Sequence, residues 1–83
     1  MDKNDVLKQE IYIALNYLKE GKFNACEQML KNIAYFVEST FFCTLKNEEA
    51  ELLKKIFVLR SVVSTHNVEE SKKYFNDILN TIK

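Results

Sequence analysis

Apolar residues return every three or four positions along nearly the whole chain, which is the spacing of one face of an α-helix rather than the strict alternation of a strand. Val6, Leu7, Ile11, Ala14, Leu15 and Leu18 form the first such face. Met29, Leu30, Ile33, Val37 and Phe41 form the second, and Leu52, Leu53, Ile56, Leu59 and Val63 the third. Ser71, Phe75, Ile78, Leu79 and Ile82 form the fourth. The pattern predicts four helices, near 4–20, 24–43, 47–65 and 68–82, packed as a small all-α antiparallel bundle.

Polar residues punctuate these faces at the positions where helix ends need them. Asp5 places a carboxylate in the first turn of the first helix, against the positive end of its dipole. Gly21 is the one glycine, and it is expected to end that helix because only glycine takes the left-handed conformation there without steric cost. Asn24 followed by Glu27, and Asn67 followed by Glu70, have capping-box spacing, and Asn47 with Glu48 and Glu49 reads as a cap with acids in the first turn. Glu51 with Lys54 and Lys55, and Glu69 and Glu70 with Lys72 and Lys73, are expected to be solvated faces.

The second helix breaks the simple two-faced pattern, because Ala34, Tyr35, Phe36 and Phe42 carry apolar surface around the rest of its circumference. Together with the run from Ile56 to Val63, it holds more large apolar side chains than one face of a small bundle covers, and such a surplus marks an interface. Phe36, Phe41, Phe42 and Phe57 are the candidate anchors for a protein partner or a second copy of the chain. The competing expectation is that these aromatics are mainly core.

Composition narrows the class further. A chain of 83 residues is expected to be one domain, 1–83, with a core that stabilises it by only a few kcal/mol. Six Phe and four Tyr exclude a disordered chain. Twelve basic and twelve acidic residues cancel, and the basic ones are scattered, so no nucleic-acid partner is expected. The polar start, Met1-Asp2-Lys3-Asn4-Asp5, and the absence of a long apolar run lead to the expectation of a cytoplasmic protein with no membrane segment. Cys26 and Cys43 would lie about 25 Å apart along one helix, so they are expected to be buried free thiols.

No local motif supplies a nucleophile with its base, a metal-ligand cluster or a phosphate-binding loop, so no cofactor, metal or catalytic residue is expected. One pairing could do chemistry. Arg60 and His66, the sole arginine and the sole histidine, point about 120° apart on an unbroken helix. If Asn67 starts a new helix, His66 falls in the turn and could fold back, holding a phosphate between a guanidinium and a general base. This Arg-x5-His spacing, with Ser61 after the arginine and the Gly21-Lys22-Phe23-Asn24-Ala25 turn, resembles HEPN ribonucleases. That resemblance implies metal-independent RNA cleavage by Arg60 and His66. A longer stretch, from Ile11 through Glu27 and again from Leu52 to Ile82 with its break at His66-Asn67, is similar to flagellar export chaperones of the FliS type. That likeness implies a non-catalytic helical bundle holding a segment of a partner, and the chain is expected to act as such an interaction module.

Overall fold

The computed structural model describes residues 3–41 and 47–82, with side chains described except at positions 3, 40, 41 and 47–49. Four helices account for almost all of them: α1 (Lys3–Lys19), α2 (Phe23–Phe41), α3 (Asn47–Ser64) and α4 (Val68–Thr81). Each helix packs on the next, and α4 closes back on α1, giving an up-down-up-down bundle in which α2 makes the two most extensive helix contacts. The radius of gyration, 11.9 Å, is the value expected of a fully collapsed chain of this length.

The apolar faces meet as the periodicity requires. Leu7, Ile11 and Leu18 from α1, Leu30, Ile33 and Val37 from α2, Ile56, Leu59 and Val63 from α3, and Phe75 and Ile78 from α4 are all fully buried. Met29, Leu53 and Leu79 pack against this core while half-buried. Burying each large side chain stabilises the fold by about 1.5–3 kcal/mol before the cost of ordering is subtracted. Among the described residues Ser71 is the buried polar one, and its Oγ donates to the Asn67 carbonyl at 2.7 Å. Among the described residues no buried side-chain nitrogen or oxygen lacks a partner.

The turns show how the sequence stops each helix. Gly21 adopts φ +77°, with its amide bonded to the Leu18 carbonyl and that of Lys22 to the Tyr17 carbonyl. These two bonds are the Schellman pattern, and the chain turns back in the three residues between Lys19 and Phe23. At the end of α3 the same left-handed position is taken by His66, at φ +62°, its amide bonded to the Val63 carbonyl. Asn67 then caps α4: its side-chain oxygen accepts from the Glu70 amide at 3.1 Å, and its Nδ2 donates to the Glu70 carboxylate at 3.3 Å. A cap of this kind contributes about 1 kcal/mol.

Two local expectations need correction. The Cys26 amide bonds to the Lys22 carbonyl, so α2 starts two residues earlier than a cap at Asn24 would allow, and Asn24 lies inside the first turn. Lys55 is not on a solvated face shared with Glu51. It is half-buried between α3 and α4, where Nζ pairs with Asp77 at 3.2 Å and donates to Thr81 at 2.9 Å. Tertiary packing offered that ammonium two partners on another helix, better than one exposed neighbour on its own.

Candidate functional site

The outward side of α2 lines an open groove of about 1140 Å³ in the molecule's surface. Met29, Asn32, Phe36 and Ser39 follow one another at three- and four-residue steps, so helical geometry alone aligns them along its floor. Tyr35 stands beside them and is 59% exposed, the most exposed of the large apolar side chains in the described residues. Glu10 reaches in from α1 and Leu53 from α3, and Glu38 completes the lining. The groove is larger than the pockets that enclose small ligands, and its walls are mostly apolar, which suits a polypeptide segment.

The candidate aromatic anchors divide between separate places. Phe36 lies in this groove and also packs against the core. Phe57 is 47% exposed on α3 and lines a smaller depression of about 260 Å³ with Glu27, Arg60, Ser61 and Ser64. Phe41 is the last residue of α2, its side chain outside those described, and Phe42 and Cys43 lie outside the described residues. Sequence reasoning missed Met29, Tyr35, Glu10 and Leu53 as groove residues. The signal for Tyr35 was present, because it sits opposite Leu30, Ile33 and Val37 on the helical wheel, while Glu10 and Leu53 join only through the packing of α1 and α3 on α2.

Arg60 and His66 have different surroundings. Arg60 is half-buried in the depression beside Glu27 and Phe57, whereas the His66 ring lies 4.2 Å from that of Phe23, nearly parallel at 9°. The turn after α3 does place His66 outside the helix, as expected, but its imidazole is stacked on the residue that opens α2. That stack ties the two helical hairpins together at one end of the bundle. It also offsets the cost of a left-handed backbone in a residue that has a Cβ.

A denaturation series separates these two contributions. His66→Gly removes both ring and strain, while His66→Ala removes the ring and keeps the strain, so the glycine variant should be the more stable by about 1 kcal/mol. Equal stability of the two variants would show that the backbone at 66 is not left-handed in solution.

Cys26 is a free thiol with no exposed surface, as expected. Burial, reinforced by the neighbouring negative charge of Glu27, pushes its pKa up from 9.0 to about 11, so at neutral pH it is an inert thiol and a small apolar filler. Among the described residues no group of three or more His, Cys, Asp or Glu side chains is placed to hold a metal ion. No helix in them is long and apolar enough to cross a membrane. The fold and the groove define the class as a small up-down-up-down helical bundle with an apolar trough on its second helix. No family model, curated protein or solved structure matches the chain.

Proposed function

We propose that this bundle is a non-catalytic interaction module of the cytoplasm, which receives an apolar segment of a partner protein along the outward face of α2. The observation that carries this reading is the exposure of Tyr35 beside Met29 and Phe36, in a groove too large and too apolar to be left idle at no cost to solubility. An export-chaperone-like or adaptor role, in which the trough holds a helical or disordered segment, is the form of the function that this surface favours. Arg60 and His66 carry no part of it. The stacking of His66 on Phe23 gives the imidazole a structural task.

A photo-crosslinking residue placed at Tyr35 in the protein's own cells tests the reading. A discrete protein adduct is expected there, and none when the same residue replaces Asn76, which is exposed on α4. An adduct of two copies of the chain would make the module self-associating. Equal labelling from both positions, or none from Tyr35, would overturn the reading.

A further inference from the structure

The charged side chains that line the α2 groove, among the described residues, are both acids: Glu10 from α1 and Glu38 from α2. The chain as a whole is neutral, with twelve basic and twelve acidic residues, so this one-sided lining is not a consequence of an acidic protein. A second feature points the same way. No basic residue lies in the last turn of α2, so the partial negative charge at that helix's C-terminus is not offset from within its own final turn, close to Glu38 and Ser39. The charges lining the groove around the apolar floor of Met29 and Phe36 are thus negative.

We infer, on the basis that the groove is the binding face, that its occupant is a basic amphipathic helical segment of a partner protein. Its apolar side chains, spaced at three and four residues, lie on Met29, Phe36 and Leu53, and its lysines or arginines meet Glu10 and Glu38. Helix-in-groove docking supplies the affinity through buried apolar area, while the carboxylates select the sign of charge on the segment's flanks. An acidic helix with the same apolar pattern is rejected, because each of its flanking charges would be held against a like charge. The same two carboxylates disfavour an anionic membrane surface as the occupant.

The test is a selection from a displayed library of helices against the full chain. Inward positions carry Leu, Met, Phe or Ala, and each outward position carries Lys or Glu at random. Lysine is expected to be enriched over glutamate by roughly tenfold at the positions flanking the apolar stripe. The preference should weaken with added salt and disappear in the Glu10→Gln, Glu38→Gln double variant, whose far-UV circular dichroism should be unchanged. Helices that bind with equal lysine and glutamate, or a lysine preference that survives in the double variant, would overturn the charge assignment while leaving the groove as a binding face. Selection of no helix that loses binding on Tyr35→Glu would overturn the groove's role itself. A stable dimer in light scattering that masks Tyr35 would give the groove to a second copy of the chain and likewise overturn the assignment.

Discussion

Replacing Phe75 by alanine is expected to leave much of the chain unfolded at 37 °C. The residue sits at the middle of α4 with no exposed surface, among the inward positions Ser71 and Ile78. Phenylalanine-to-alanine changes at such sites cost about 3–5 kcal/mol, from lost transfer free energy and from the cavity left behind. Bundles of this size hold only a few kcal/mol of net stability, so one deletion of this kind removes most of it. The helix it would loosen is the one that closes the bundle, through its contacts with α3 and α1. A melt followed by far-UV circular dichroism should show the midpoint falling by roughly 15 °C or more. Phe57→Ala is the matched control, since Phe57 is 47% exposed and its loss should move the midpoint by only a few degrees, about the effect of 1 kcal/mol or less. A small shift at Phe75 with a large one at Phe57 would mean that the packing described for α3 and α4 is wrong.

Raising the pH from 9 to 11 should weaken the fold through Cys26 by about 2 kcal/mol. The folded thiol holds its proton to about 11, whereas the unfolded chain releases it near 9.0. Between those values the folded state binds more protons than the unfolded one, so unfolding releases a proton and each rise in pH favours it. Below pH 9 the contribution of the buried neutral thiol is fully present, and it is lost as pH climbs through the folded value. Other groups titrate in the same range, so the measurement is a difference. Denaturant midpoints from pH 8 to 11 should fall more steeply for a Cys43→Ser protein than for the same protein carrying Cys26→Ala. The same burial predicts labelling of Cys26 at pH 8 about a hundredfold slower in the folded chain than in the unfolded one, from thiolate fraction alone. Parallel midpoints in the two proteins, together with fast labelling under native conditions, would show that the α2 thiol is not buried.

The particular residues show why some of the architecture is legible in a sequence and some is not. Helix existence and helix faces are local matters. A residue's place on the wheel follows from its number, and Leu30, Ile33 and Val37 or Ser71, Phe75 and Ile78 turned inward as their spacing required. Stops and caps are also local, so Gly21 and Asn67 performed their expected roles with hydrogen bonds reaching only three to five residues. Even at this level a near neighbour can compete: Lys22 supplied the first carbonyl of α2, and Asn24 was left inside the helix.

Everything that joins one helix to another was decided by the tertiary structure. The periodicity marks Phe57 and Tyr35 as lying off the core face, but it does not say that the groove on α2 borrows Glu10 from α1 and Leu53 from α3. Lys55 exchanged a neighbour on its own helix for Asp77 and Thr81 on the next. Sequence spacing puts His66 in the turn after α3, but that its ring stacks there on Phe23 of α2 comes from the packing of the two hairpins. The physical reason is the same in each case. Backbone hydrogen bonding and the 3.6-residue period specify which way a side chain leaves its own helix. What it meets there depends on how far one helix slides and rotates against its neighbour, which only the close packing of the shared core determines.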